Sequence, residues 1–222
     1  MNALPRPRAI LFDWDNTLID SWAVIHQAMN QTLEHMGHAP WSRAETEKRV
    51  RASLRDGFPT LFGERWKEAE RVFYDAFAAL HLTHLAPLPG SAELLGELAG
   101  AGYYLGVVSN KRGNYLRLEA EQLGWDRHFR QLSGAGDAAR DKPCREHVDH
   151  ALGVGTANAG PNAGPDVWFV GDADIDMLCA RNAGCRAILV RSQPPAGDEF
   201  AAAKPDLHFP DLSSLAAHLR QA

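Results

Sequence analysis

The sequence predicts an α/β fold: a mostly parallel sheet flanked by helices, with a helical segment inserted after the first strand. Three observations predict it. Short apolar runs bounded by turn signals, at residues 9–12, 103–108, 167–170 and 187–190, read as buried strands. Helix-compatible stretches separate the later runs, the alternation of a parallel sheet with right-handed crossovers. From about residue 20 to 85, no convincing run of β-branched residues occurs, so that stretch reads as helices interrupting the alternation.

The elements follow in order. After the first strand, Val24, Ala28, Thr32 and His35 recur at helical spacing, widened by Trp22 and Ile25, and Gly37 fits a C-terminal stop. Ser42 and Glu45 form a capping-box pattern opening a helix over 42–54. Trp66, Ala69, Val72, Phe73, Phe77 and Leu80 give an apolar side to a helix over 64–79. Pro87-Leu88-Pro89-Gly90 ends the inserted segment, and a helix carrying Leu94, Leu95 and Leu98 follows. Helices at 115–123, 146–152 and 176–183 alternate with the later strands, and a segment near 128–132 lies between the first two. A loop over 193–204, a strand at 207–209 and a helix at 212–219 complete the chain. The expected domains are thus an α/β core of 1–19 and 86–222 and a helical domain of 20–85.

Composition bounds the function. A chain of 222 residues can bury one good core, or one core and a small appended domain. The formal charge of -5, from 23 basic and 28 acidic residues, provides no broad field for nucleic acid or anionic lipid, so neither is expected as a partner. The three cysteines, Cys144, Cys179 and Cys185, lack CxxC spacing and cannot all pair internally, which points to a reducing compartment, although Cys179 and Cys185 could meet. No apolar stretch has the length of a signal sequence or a membrane span. The expectation is a soluble cytoplasmic protein, monomer or homodimer.

The polar ends of the strands carry the functional signal. Asp13 and Asp15 follow the first strand, Ser109 and Asn110 another, and Asp172, Asp174 and Asp176 a third. A buried strand has no structural need for a carboxylate at its end, since an unpaired buried charge is costly, and a divalent cation would compensate it. Turn chemistry, with Asp15 or Asn16 bonding to nearby amides, is the alternative for the first segment. In a parallel sheet, however, all the C-terminal strand ends share one edge, and a ligand or metal gives the polar groups a common reason.

These residues resemble a known family. Asp13-Trp14-Asp15-Asn16-Thr17 is similar to the first motif of the haloacid-dehalogenase-like hydrolases in its two-aspartate form, and Val108-Ser109-Asn110 to the second. Lys142-Pro143 resembles the third, and Gly171-Asp172-Ala173-Asp174-Ile175-Asp176-Met177 the fourth. The set stands in order over residues 9–190, and the inserted helices resemble the cap of the phosphoglycolate-phosphatase-like branch. The resemblance implies a Rossmann-like sheet and a Mg2+-dependent phosphatase acting on a small phosphorylated metabolite through an aspartyl-phosphate.

It also implies roles. Asp13 would be the nucleophile. Asp15 would protonate the leaving oxygen, draw a proton from water and offer its carbonyl to the metal. Ser109 and the Asn110 amide would bond to phosphoryl oxygens, and Lys142, read alone an exposed loop lysine, would neutralise charge. Asp13, Asp172 and Asp176 would hold Mg2+ with Asp15. Asp174, on the same loop, reads equally as a solvent-facing turn or cap. Thr17, Asn110, Lys111 and Arg112 are the substrate-binding candidates; Lys111 and Arg112 also fit a solvated helix start.

Asp15 favours a phosphatase or a mutase over a dehalogenase, because an alkoxide leaving group needs a proton. A phosphosugar mutase remains the alternative, as does a non-catalytic metabolite-binding protein. Trp22, His26, Arg51, Arg55 and Lys67 are candidate cap residues for a polar substrate, each also readable as a packed or solvated side chain. The Gly-rich stretch 153–165 contains neither GxGxxG nor a lysine-bearing phosphate loop and reads as a mobile surface insertion.

Overall fold

A computed structural model describes residues 6–50, 53–157 and 159–221. Arg51, one of the candidate cap residues, and Asn158 of the Gly-rich stretch lie outside the described residues.

Parallel strands are buried on both faces and therefore favour unbroken apolar runs over alternation. Strand β1 (Ala9–Phe12) and strand β4 (Val167–Gly171) have this character and are buried throughout. They stand at the centre of a six-stranded sheet that also contains β2 (Tyr104–Arg112), β3 (Gln131–Ala135), β5 (Arg186–Val190) and β6 (Leu207–Phe209). The order is β3-β2-β1-β4-β5-β6, with every neighbouring pair parallel. Phe12 aligns with Val107 on one side and Val170 on the other, so the polar residues following these strands emerge together. The chain runs outward from β1 through β2 to β3, then crosses to the other side of β1 at β4. That reversal opens a crevice at the carboxyl ends of β1 and β4.

Packing divides the chain into two compact units, one comprising the segments before Asp20 and from Pro87 onward, the other Asp20–Ala86. In the first, α5 (Ser91–Gly100), α6 (Gly113–Gln122), α7 (Arg145–Ala151), α8 (Asp174–Ala183) and α9 (Leu212–Leu219) cover the sheet. Ile19 and Pro87, at the two ends of the insertion, form an antiparallel bridge. All three cysteines are free thiols.

The inserted unit is helical: α1 (Trp22–His35), α2 (Arg43–Arg49), α3 (Leu54–Phe62) and α4 (Trp66–Leu80). Helix α2 opens with the expected capping box, Glu45 N donating to Ser42 Oγ at 3.2 Å and Ser42 N to Glu45 Oε2 at 2.9 Å. The stretch expected as one helix over 42–54 ends at Arg49, and a separate α3 follows. Its Gly57 and internal Pro59 oppose helix by propensity. Burial of Phe58 and Phe62 against aromatic neighbours outweighs them. In α1 the buried face comprises Val24, Ile25, Ala28, Met29, Thr32 and Leu33, whereas His35 is exposed and bonds to Glu68 at 3.0 Å.

The candidate cap residues take varied surroundings within this unit. Lys67 is exposed beside Glu70 at 3.1 Å, His26 Nδ1 bonds to Thr46 Oγ1 at 2.9 Å, and Trp22 and Arg55 are half-buried. The Gly-rich stretch forms no helix or strand among its described residues, and Gly160 N ties it to Leu152 O at 2.7 Å. Among the described residues no helix is long and apolar enough to cross a membrane.

The aromatic cluster sets the stability of the inserted unit. Phe73 stacks on Phe77 with centroids 5.9 Å apart and meets Phe58 edge-on at 5.9 Å. Phe73→Ala is expected to remove about 3–5 kcal/mol from this unit, read as a lower urea midpoint of its helical signal.

Candidate active site

The crevice is built by strand ends and the loops that follow them. Asp13 is the first residue after β1, and its N–H donates to Val170 O of β4 at 2.8 Å, extending the ladder as far as the carboxylate. The chain then turns through Asn16, whose φ of 63° is left-handed, a conformation that Asn tolerates better than most residues. Asp15, Asn16 and Thr17 are thereby gathered above the sheet edge. Thr17 is buried, and its hydroxyl donates to Asp172 Oδ1 at 3.2 Å.

Asp13, Asp172 and Asp176 each present an oxygen, and the three lie within 4.8 Å of one another. Asp176 reaches this position because α8 starts at Asp174, two residues before the expected start, which makes Asp176 its N3 residue. Its Oδ2 accepts from Ala173 N at 3.0 Å. Gly171 leaves the necessary room: a Cβ there would come within 2.4 Å of the Asp176 side chain. Asp174 is exposed at the start of the same helix, as its turn or cap reading predicts.

Lys142 enters from the loop between β3 and α7. Its Nζ donates to Asp13 Oδ1 at 2.6 Å and to Asp176 Oδ1 at 2.8 Å, with its side chain only 2% exposed. This ammonium is interior, unlike the exposed loop lysine that the local sequence suggests. Its backbone N–H is braced by two acceptors, Asn110 Oδ1 at 3.1 Å and His147 Nδ1 at 3.0 Å. The Asn110 side chain is therefore directed at the Lys142 loop. His147, on α7, was not marked by any sequence motif. Burial, with Lys142 nearby, lowers its pKa to about 4, so the ring stays neutral and its Nδ1 can accept.

Ser109, at the end of β2, is buried and its Oγ accepts from Lys111 N at 3.1 Å. Lys111 does not sit at a solvated helix start: its Nζ lies 2.6 Å from both Asp15 Oδ1 and Glu119 Oε2. Arg112, its neighbour, is exposed.

Charge in the crevice is unbalanced. Burial raises the Asp13 pKa to about 7 against the opposing pull of Lys142, and Asp176 and Asp15 push it further upward. Asp172 is raised as well, by burial and then by Asp176 and Asp13. Burial opposes the charge on Lys142, but Asp13 and Asp176 hold its pKa above the usual lysine value. One ammonium among three clustered carboxylates leaves net negative charge in a low-dielectric site. An all-oxygen donor set of this charge fits a hard divalent cation.

A family model described as haloacid dehalogenase-like hydrolase matches residues 10–190, spanning both the strand-end carboxylates and the inserted helices. The chain belongs to the haloacid dehalogenase-like hydrolases. It is similar to a phosphoglycolate phosphatase of Psychrobacter arcticus, 26% identical with 96% of each chain covered. It is also 32% identical to a phosphoglycolate phosphatase of Caulobacter vibrioides, covering 82% of this chain and 78% of the relative. A solved superfamily hydrolase of Ehrlichia chaffeensis superposes with a TM-score of 0.64 at 28% identity, covering 97% of each chain. The chain is thus a hydrolase of the phosphoglycolate-phosphatase-like branch, with an aspartate cluster suited to aspartyl-phosphate chemistry and able to coordinate a divalent metal.

The raised pKa values fix the sign of a pH effect. A carboxyl whose folded pKa exceeds its unfolded value favours the fold at low pH and loses that contribution as pH rises toward the folded value, about 7 for Asp13. A cation that binds the ionised cluster offsets the loss. Thermal melts in chelator and in excess divalent cation should therefore show a larger cation-induced rise in Tm at pH 8 than at pH 5.5. An equal rise at both would separate cation binding from these carboxyls.

Proposed function

We propose that this hydrolase is a Mg2+-dependent phosphomonoesterase for a small phosphorylated metabolite, acting through a phosphate ester of its own aspartate. The observation that carries the reading is the meeting of Asp13, Asp172, Asp176 and Lys142 in one buried crevice, with Asp15 two residues from Asp13. Mg2+ suits oxygen ligands and a substrate phosphate, and when bound it would draw charge from the phosphoryl oxygens.

Each proposed role belongs to a residue of the chain. Asp13 attacks phosphorus, its oxygen forming the new P–O bond as the bond to the leaving oxygen breaks. Asp15 gives that oxygen a proton, so an alcohol departs. Asp15 then takes a proton from water as the water oxygen attacks the aspartyl-phosphate, releasing inorganic phosphate and restoring Asp13. Lys142 holds Asp13 in place and balances charge on the phosphoryl group. Ser109 and the Asn110 amide are proposed to bond to phosphoryl oxygens. Thr17 is proposed to contribute to binding by orienting Asp172, and Arg112 to meet an anionic substrate. Residues 20–85 are proposed as the cap that selects the leaving group, an assignment that rests on the family resemblance.

Phosphoglycolate is the first substrate to test, because it names the activity of the relatives. Phosphate release from a panel of phosphorylated metabolites should require Mg2+ and fall to background in Asp13→Asn. For alkyl phosphates, Asp15→Asn should lower the rate by about 10²–10⁴-fold. Hydroxylamine should trap an acyl phosphate on the wild type and none on Asp13→Asn. Release that persists in Asp13→Asn would refute the nucleophile assignment.

A further inference from the structure

Glu119 lies on α6, outside every motif read from the sequence, yet its side chain is only 1% exposed. A carboxylate this far from water is costly unless it is compensated. Its partners are specific. Glu119 Oε2 accepts from Trp14 Nε1 at 2.7 Å and lies 2.6 Å from Lys111 Nζ. The same ammonium lies 2.6 Å from Asp15 Oδ1, a contact of charge rather than an aligned hydrogen bond. Trp14 is fully buried and held edge-on by Trp125 at 5.9 Å and Phe129 at 6.3 Å.

A rigid aromatic cluster is thereby linked to the crevice through one carboxylate and one ammonium. A lysine side chain is rich in rotamers, and an untethered one would not keep its ammonium at a fixed point. Glu119 supplies the tether from behind, and Trp14 fixes Glu119. Buried ion pairs are weak evidence for a purely stabilising role, since apolar replacements are often neutral or better. The triad has a second consequence, because its outward end is Asp15.

Resting on the phosphatase reading, we propose that Glu119 is a positioning residue for the acid-base step. Fixed by Trp14, it holds Lys111, and Lys111 holds the Asp15 carboxyl where the leaving oxygen and then the water must meet it. Lys111 accordingly acts on Asp15 rather than on the substrate.

The leaving group provides a test that a merely structural role would not pass. An alkoxide needs a proton to depart, whereas p-nitrophenolate leaves without one, and kcat/KM reports the first transfer. With Mg2+ present, Glu119→Gln and Lys111→Met should each lower kcat/KM for an alkyl phosphate by about 10²-fold, the cost of a misplaced catalytic group. Glu119→Gln should leave kcat/KM for p-nitrophenyl phosphate near the wild-type value. Glu119→Gln added to Asp15→Asn should cause no further loss. Trp14→Phe, which removes only the indole donor, should show the same leaving-group pattern in weaker form, and it replaces Glu119→Gln if that variant does not fold. Equal losses on both esters, or additivity with Asp15→Asn, would overturn the positioning role while leaving the phosphatase reading intact. A folded wild type that hydrolyses neither these esters nor any member of the metabolite panel would overturn the phosphatase reading, and this inference with it.

Discussion

The site depends on one ammonium. Lys142 Nζ is donated at once to Asp13 and Asp176, joining the end of β1, the loop after β3 and the first turn of α8. Without it, three carboxylates would share a buried space with no internal counter-charge, and each would have to neutralise or move apart. The surrounding loop is built accordingly, with Asn110 and His147 fixing the Lys142 backbone from two directions. A cation held by the crevice would complete the balance that the lysine begins.

A second lysine repeats the arrangement for the second carboxylate of the first motif. Lys142 ties Asp13 to the buried Asp176, and Lys111 ties Asp15 to the buried Glu119. Two carboxylates on one short segment are thus held by separate cations that come from the same side of β1 in the sheet order, β2 for Lys111 and the loop after β3 for Lys142. The Glu119 carboxylate behind Lys111 limits how far that ammonium can be drawn into the crevice.

Strands β1, β2, β4 and β5 were legible as apolar runs, and the polar ends of β1, β2 and β4 coincide with the crevice; β3, with the sequence QLSGA, has no such run and left only an unassigned segment near 128–132. Helix α3 was not legible, since Gly57 and Pro59 obscure a segment that tertiary burial of Phe58 and Phe62 makes helical. His35 occupied a helical-spacing position, but the face is set by Met29 and Leu33, and periodicity alone could not choose between neighbouring stripes. The motif aspartates and Lys142 were visible through their ordered spacing. Glu119 was not, because an acidic residue on a polar helix has the appearance of a solvated one. Its only signal is an eight-residue separation from Lys111, across the turn from the end of β2 into α6, which becomes meaningful once burial is known. His147, and the bond that Asn110 of the second motif makes to the Lys142 loop, were hidden for a related reason: the partner is a backbone N–H, which leaves no trace in side-chain chemistry.

The sequence separations within the crevice have a consequence for how this molecule acquires it. Lys142 and Asp13 are 129 residues apart, and Thr17 and Asp172 are 155 apart. Such pairings are non-local, and they close only after long stretches of chain have found their places. During synthesis, Asp13 and Asp15 emerge more than 150 residues ahead of Asp172 and Asp176. A nascent chain short of β4 therefore carries the first motif with neither Asp172 and Asp176 nor the neighbouring strand that aligns Asp13. The crevice is a property of the assembled sheet centre, and any signal from it reports that β1, β2, β3 and β4 have come together.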